Sequence, residues 1–194
     1  SQRVLAQVSL NLDAYLRSMM RVSDAMYYRV IKNTDLAADS LDDRMSLLYE
    51  SNRDMLVSIA VFSQGGELVS AAPLAPLKKD AAPQRQDWFI VAAGKIENLH
   101  FSTPHVQNLF EDPDYRYRWV VSLSRQVELT RAGAIEGGVL LVDMSFWSEV
   151  PVIVCPFTAS AFAAGTEIYN VLPLREKFTP EACLLYTSPS PRDA

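Results

Sequence analysis

The sequence is short of the residues that build common metal and nucleic-acid sites. Its 194 residues include two cysteines and two histidines. Cys155 and Cys183 form no CxxC pair, and His100 and His105 belong to no HExxH motif, so a zinc site of a familiar type is not expected. The formal net charge is −5, without a cluster of lysine or arginine. Nucleic-acid binding is not expected either, because it needs a basic surface that neutralises phosphates.

Long hydrophobic runs and catalytic signatures are also missing. No apolar stretch reaches the ~18 residues of a transmembrane helix, and no signal peptide is visible. The chain starts at Ser1, so we expect the natural protein to begin further upstream. There is no nucleophile elbow, P-loop, GxGxxG motif or spaced acid/base pair. We therefore expect a module that is not an enzyme and that holds no metal or cofactor.

Two helices are predicted at the start of the chain. Hydrophobic residues make up 49% and charged residues 21% of the sequence, as in a globular domain. In residues 1–33 apolar residues recur at spacings of three and four without glycine or proline, which predicts one long helix. Its apolar stripe could form a dimer seam or pack against the protein's own sheet. A second helix is predicted over residues 36–52. The stripe consists of Val4, Val8, Leu12, Tyr15, Met19, Val22, Met26 and Val30.

Strands dominate the middle of the sequence. A hairpin with strands near 55–62 and 67–70 is predicted from β-branched residues around a Ser-Gln-Gly-Gly turn. A proline-rich loop over 71–83, a short helix over 84–94 and an irregular segment over 100–109 follow. Two long strands, 119–129 and 138–146, are joined by a turn over 132–138, and the unbroken apolar run Val139 to Val142 is typical of a central strand covered on both faces. Helices and strands are segregated, which indicates an α+β fold.

The C-terminal part of the chain differs in composition from the rest. Residues 183–193 read CLLYTSPSPRD, which resembles the translation of a sequencing adapter; the alternative is a natural Pro/Ser-rich tail. Four prolines interrupt residues 147–182, and that segment could be genuine, frame-shifted or chimeric. We divide the chain into a helical stalk with a second helix (1–52), a sensing module (53–146), the uncertain segment (147–182) and the adapter-like tail (183–194).

Five segments together resemble the membrane-distal half of double Cache domains, above all the sensor region of histidine kinases of Gram-positive bacteria. The resemblance covers residues 12–146 and implies a PAS-like antiparallel sheet, packed on the long helix, that cradles a small ligand. It also implies that the membrane-proximal module is missing and the chain truncated. The segments are Leu77-Lys78, Asp87–Phe89, Phe101–Gln107, Val121–Arg125 and Gly138–Met144.

The resemblance also suggests pocket residues. Amino-acid-binding members of the superfamily have an Arg two before a Trp-Tyr pair, then a Tyr and an Asp two apart, then an Asp at the end of a strand. Trp88 and Asp143 match this pattern, whereas Gln86 stands at the Arg position. The departures leave the identity of the ligand open. The candidate ligand-binding residues are Arg85, Gln86, Trp88, Phe89, His105, Gln107 and Asp143.

Each candidate also has a structural interpretation. Trp88 and Phe89 could pack in the core of the short helix instead of lining a pocket. Asp143 could hold a ligand amine or cap the next turn. His105 and Gln107 lie on one side of an extended segment and could bind ligand or face solvent. Likewise, the two small hydroxyls at positions 122 and 124 either leave room for a ligand or reflect ordinary strand patterning.

The resemblance implies the extracytoplasmic sensing domain of a membrane-anchored two-component sensor histidine kinase. Its expected partners are an unidentified small molecule and a second copy of the chain, joined through the N-terminal helix. The same ectodomain could instead belong to a chemoreceptor or a cyclic-dinucleotide enzyme. A soluble α+β enzyme or an assembly protein is the alternative from a different class.

Overall fold

The computed structural model describes residues 2–94, 99–111 and 118–145, with side chains from residue 13 onward. The predictions for Cys155, Cys183 and residues 147–194 concern residues outside these ranges. Among the described helices, none is both long and apolar enough to span a lipid bilayer. The α-helices are α1 (Gln2–Asp24), α2 (Asp42–Glu50) and α3 (Asp87–Ala93), and the strands are β1 (Leu56–Ser63), β2 (Leu68–Ala72), β3 (His100–Phe101), β4 (His105–Val106), β5 (Trp119–Arg131) and β6 (Ala134–Ser145).

The strands form one antiparallel sheet, and the α+β prediction is confirmed. The sheet has six strands in the order β2-β1-β6-β5-β3, with β4 also paired to β5. The predicted hairpin corresponds to β1 and β2, and the two predicted long strands correspond to β5 and β6. β6 therefore lies between β1 and β5, at the centre of the sheet.

Both faces of the sheet are covered, which accounts for the apolar run in β6. Leu140, Val142 and Met144 pack against the N-terminal helix on one face. Val139 and Leu141 belong to the core on the opposite face, with residues of α3 and of the loop before it. Alternate residues of a strand point to opposite faces, so a strand buried on both sides loses its alternating pattern. The prediction of a doubly covered central strand is confirmed.

The long N-terminal helix is present as predicted, but its last turns change geometry. After α1 the chain continues as a π-helical segment, Ala25–Val30, and a 3₁₀ turn, Ile31–Asn33. The stripe residues from Tyr15 to Val30 are buried against the sheet, so this part of the stripe serves the protein's own core. Met19 and Met26 are fully buried.

Two predicted boundaries were wrong. The second helix begins at Asp42, not at residue 36, because the preceding segment pairs with β5: the Leu36 N–H donates to the Thr130 carbonyl oxygen at 2.8 Å. The turn between β5 and β6 contains two residues, Ala132 and Gly133, both with positive φ, as in a type I′ hairpin.

Gly138 explains the second error. It indicated a turn in the sequence, yet it lies within β6. A Cβ at this position would stand 2.7 Å from both Leu129 Cδ1 and the Phe62 carbonyl oxygen. The glycine is therefore needed for close approach of neighbouring strands rather than for chain reversal.

Candidate functional site

A cavity of about 130 Å³ lies on the face of the sheet opposite the N-terminal helix. Its floor comes from β5 and β6, and its walls come from α3, from β4 and the residues after it, and from the loop before α3. Five of the seven predicted site residues line it, although they come from three separate parts of the sequence. They are Gln86, Trp88, His105, Gln107 and Asp143.

Asp143 lies at the floor of the cavity on the central strand. It is 1% exposed, and its carboxylate accepts hydrogen bonds from neutral donors. Ser58 Oγ and Gln107 Nε2 donate to Oδ2 at 2.8 and 3.0 Å, and Ser122 Oγ donates to Oδ1. Burial of a carboxylate is costly without such bonds. Strand register supplies two of the donors, because Asp143 pairs with both Ser58 of β1 and Ser122 of β5.

Gln107 holds the segment after β4 against this carboxylate. Its side chain is buried, and its Oε1 accepts a hydrogen bond from the Leu109 N–H at 2.6 Å. Both the nitrogen and the oxygen of the Gln107 side-chain amide thus form hydrogen bonds within the protein. Gln107 is suited to position Asp143 and the cavity wall.

His105 lies at the side of the cavity with both ring nitrogens near oxygens. Nδ1 is 2.9 Å from the Thr103 carbonyl oxygen and 3.3 Å from Ser102 Oγ. Nε2 is 3.4 Å from Ser122 Oγ. Ser122 therefore links the imidazole to the Asp143 carboxylate.

The aromatic pair of α3 is divided between the cavity and the core. Trp88 is half-buried, lines the cavity and lies with its ring centroid 5.6 Å from that of Phe62. Phe89 is 3% exposed and packs in the core below, so it does not line the cavity. The helix is held to the sheet by Ser124, whose Oγ donates to the Trp88 carbonyl oxygen at 3.0 Å.

The two residues before α3 also differ in position. Gln86 is at the cavity, and its side-chain Nε2 donates to the Ala81 carbonyl oxygen at 3.1 Å. Arg85 is exposed and is not part of the lining. The arginine next to Gln86 therefore does not line the described cavity.

The ionisable side chains of the cavity are mainly acidic. Asp80 and Asp143 line it, and no lysine or arginine of the described residues does. The effect of Asp143 extends through the sheet to Tyr15 of α1, whose hydroxyl donates to the Met144 carbonyl oxygen at 3.3 Å. Burial, and after it the negative charge of Asp143, raises the pKa of Tyr15 far above its ordinary value.

Several lining or supporting residues were missed by the sequence interpretation. Ser58 was detectable as the one hydroxyl in the apolar strand β1 before its last residue, but its role depends on register. Asp80 lies in a proline-rich loop where nothing in the sequence singles it out. Ser122 was noted only for its place on one strand face. Each becomes a candidate site residue because the fold brings it to Asp143 or into the lining of the cavity.

Comparison with known proteins shows the fold but no close relative. No protein-family model matches the chain, and no curated protein matches it. Similar solved structures are ligand-binding domains of bacterial chemoreceptors. That of PctC, an amino-acid chemoreceptor of Pseudomonas aeruginosa PAO1, in complex with GABA, superposes with a TM-score of 0.52 at 15% identity over 74% of this chain and 61% of its own.

The chemoreceptor CtaA of Pseudomonas fluorescens gives two further matches. Its ligand-binding domain with L-alanine has a TM-score of 0.53 at 15% identity and covers 82% of this chain and 62% of its own. The complex with L-serine has a TM-score of 0.51 at 14% identity, covering 72% and 55%. The chain thus spans 55–62% of the length of these domains. At such identities the likeness shows a shared fold.

Proposed function

We propose that this chain is the small-molecule-binding module of an extracytoplasmic sensor. The observation that carries the proposal is the buried carboxylate of Asp143 at the floor of a cavity. No ion pair among the described residues includes it, although buried charges are usually paired. A cavity with a few convergent polar groups on an otherwise apolar sheet is the usual form of a ligand site.

The same strands that form the cavity floor also contact the N-terminal helix. In β5, Ser122 faces the cavity, while Arg125 reaches the other face and pairs with Asp24 of α1 at 2.7 Å. A ligand that favours one arrangement of these strands would also favour one arrangement of the helix. The shift is limited by the ligand's difference in affinity for the two arrangements.

In this proposal residues 53–146 sense the ligand and residues 1–52 carry the signal towards the membrane. The parent would be a membrane-anchored sensor histidine kinase that dimerises through the N-terminal helix. The resemblance of the five sequence segments supports the kinase. The chemoreceptor domains of similar fold favour a second candidate, in which the output is chemotaxis.

Long-read sequencing of the source locus distinguishes these two parents. We expect an apolar span of ~20 residues upstream and, downstream, a second span followed by a kinase. A methyl-accepting signalling domain downstream would select the chemoreceptor. A short reading frame without a span on either side would contradict membrane sensing altogether.

Ligand binding itself is tested by thermal unfolding with a panel of small metabolites. A compound that binds only the folded chain stabilises it by about 2.7 kcal/mol at about 100 times its Kd. We expect at least one compound to stabilise the wild type but not Asp143→Asn, which keeps the side chain's shape and removes its charge.

The control is Asp39→Asn, an exposed carboxylate of the α1–α2 connection that is paired with Arg44 and does not line the cavity. It should respond to ligand like the wild type. Equal stabilisation of wild type and Asp143→Asn by every active compound would rule out this cavity as the site.

A further inference from the structure

The N-terminal helical region changes its winding before it reaches its end. Gln2–Asp24 is α-helical, whereas Ala25–Val30 is π-helical. A π turn is closed by i→i+5 hydrogen bonds, so it holds one residue more than the α turn it replaces, and it is rare outside single turns. At the end of the segment the Ile31 N–H donates to the carbonyl oxygens of both Met26 and Tyr27, which lie five and four residues back.

The spacing of the buried residues accounts for the change in winding. From residue 22 to residue 34, buried residues recur every four positions. An α-helix turns by about 100° per residue, so a stripe with this spacing would rotate away from the sheet by about 40° in each repeat. The wider π turn removes this drift and keeps the stripe on the sheet. The two buried rows are Val22, Met26, Val30 and Thr34, and Ser23, Tyr27 and Ile31.

Side chains that follow the π segment support its widened turn. Asn33 Nδ2 donates to the carbonyl oxygens of Tyr28 and Arg29, at 3.1 Å each. Thr34 Oγ1 donates to the Val30 carbonyl oxygen at 2.8 Å. In an α-helix the carbonyl oxygens of Tyr28 and Arg29 would accept from the backbone N–H groups four residues later. The side-chain amide of Asn33 therefore favours the π form over the α form.

The chain beyond the π segment is fixed to the β5–β6 hairpin. The Asp35 carboxylate accepts from the Ala132 N–H, and the Leu36 N–H donates to the Thr130 carbonyl oxygen, both at 2.8 Å. If the π turn became α-helical, its extra residue would therefore have to pass into α1. That helix would advance by one residue, about 1.5 Å along its axis and about 100° around it. Each residue of α1 would then take the place of the residue before it.

The sequence of α1 is compatible with this second register. Its buried positions are followed by residues that are themselves apolar or small, so each buried position would receive a residue of similar kind. One exposed residue, Arg17, would enter the buried place of Leu16, which makes the second register the higher in energy. The neighbouring pairs are Tyr15 and Leu16, Met19 and Met20, and Val22 and Ser23.

Arg125 of β5 provides a compensating contact in the second register. Its Nη1 lies 2.7 Å from Asp24 Oδ1 and 3.4 Å from Ser23 Oγ. Its Nε is buried and has no hydrogen-bond partner within the part of the chain that the structure describes. After the shift Asp24 would occupy the place of Ser23, which is fully buried. The carboxylate would then face the guanidinium away from solvent, where a charge-assisted hydrogen bond is stronger.

We propose that Ala25–Val30 is a two-state element, π-helical in the form described and α-helical in a second form in which α1 is advanced by one residue against the sheet. The fold thus contains a register switch. Its link to the cavity rests on the proposed function. Ser122 lines the cavity three residues before Arg125 on β5, so a ligand would bias the switch by its difference in affinity for the two registers.

Thiol accessibility separates a shift by one residue from local unfolding. Val22→Cys and Leu16→Cys are made in the whole chain with its two native cysteines replaced by serine, and their rates of modification by a small maleimide are compared. Both residues are 4% exposed. The shift moves position 22 to the exposed place of Arg21 and position 16 to the buried place of Tyr15. We expect position 22 to react several-fold faster than position 16.

Two further changes should move the equilibrium in opposite directions. Asn33→Ala removes the support of the π form and should raise the rate at position 22 without raising it at position 16. Asn52→Ala is the control, since it removes a similar bond, to the Leu48 carbonyl oxygen at the end of α2, and should leave both rates unchanged. Deletion of Arg29, an exposed residue of the π segment, removes the extra residue and should lower the rate at position 22 while circular dichroism shows the fold intact.

Three results would overturn the switch. Equal rates at positions 16 and 22 would indicate unfolding of the helix, which exposes both. An unchanged rate at position 22 in Asn33→Ala, or loss of the fold when Arg29 is deleted, would show that the π turn holds no exchangeable residue. None of these measurements uses a ligand, so their failure leaves the proposed function standing. Failure of every compound to bind the cavity would likewise leave the switch standing.

Discussion

At the scale of the residue, position in the sheet decides what each side chain does. Asp143 terminates an apolar run in the sequence, where a cap or a ligand contact were equally reasonable interpretations. In the structure it is surrounded by Ser58, Gln107 and Ser122, all of which direct protons towards it. Three separate parts of the chain thus supply hydrogen-bond donors to one buried carboxyl group, which a capping role would not require.

Gly138 provides a prediction at this scale. Gly138→Ala would place a Cβ against Leu129 and the backbone of Phe62, so we expect a loss of about 1–3 kcal/mol in the free energy of unfolding. Gly65→Ala is the control, since its Cβ would meet only Ser63 Oγ, at an ordinary 3.7 Å. Urea unfolding of both variants measures the difference. Equal stabilities would contradict the close strand approach at Gly138.

At the scale of the element, the side chains of Asp35 and Arg125 are among the polar groups that join the N-terminal helical region to the sheet. Asp35 follows the 3₁₀ turn, and its carboxylate accepts hydrogen bonds from the N–H groups of Ala37, Ala132 and Gly133. Further along β5, Arg125 is 7% exposed and pairs with Asp24. The C-terminal end of the N-terminal helical region thereby contacts the β5–β6 hairpin at two places, at its tip through Asp35 and near the middle of β5 through Arg125.

The Asp35 contact should be sensitive to acid. Backbone hydrogen bonds lower the pKa of its carboxyl below the ordinary value. A carboxyl whose pKa is lower in the folded state stabilises the fold above its unfolded pKa and loses that effect as the pH falls through its folded pKa.

We therefore expect Asp35→Asn to lower the urea midpoint at pH 7 and to differ little from wild type near pH 3. The control is Asp54→Asn, an exposed carboxyl between α2 and β1, which should match the wild type at both pH values. A constant difference between Asp35→Asn and wild type across the range would show that its charge is not responsible.

Arg125 provides the second prediction for these elements. Its guanidinium pairs with Asp24 and lies 4.8 Å from the centre of the Tyr27 ring. Arg125→Gln should cost about 1–3 kcal/mol, because a buried charge-assisted bond and a cation–π contact are both lost. It should also increase hydrogen exchange in the π-helical segment that carries Tyr27.

Arg131→Gln is the matched control on the same strand. Arg131 pairs with Glu136 at 3.8 Å in a half-exposed position, where an ion pair contributes about 0–1 kcal/mol. If the two variants were equally stable, the Arg125 contact would not join the helix to the sheet.

At the scale of the whole molecule, one sheet separates the cavity from the N-terminal helix. The cavity and α3 lie on one face, and the N-terminal helix with its apolar core lies on the other. The central strands β5 and β6 contribute to both. Tyr15 illustrates the connection. Its hydroxyl donates to backbone carbonyl oxygens at the end of β6, and its pKa is raised by burial and, after it, by the negative charge of Asp143 on the opposite face.

The sequence by itself determined the α+β class, the long helix, the hairpin and the central strand, because the periodicity of apolar residues depends on which faces are buried. It also indicated five cavity residues through a family pattern, although their role stays a prediction. Register and close packing decided the rest. The candidate site gains Ser58, Ser122 and Asp80 only when distant strands and a loop meet in the fold. Gly138 was predicted to lie in a turn because the sequence does not show how closely neighbouring strands approach a residue.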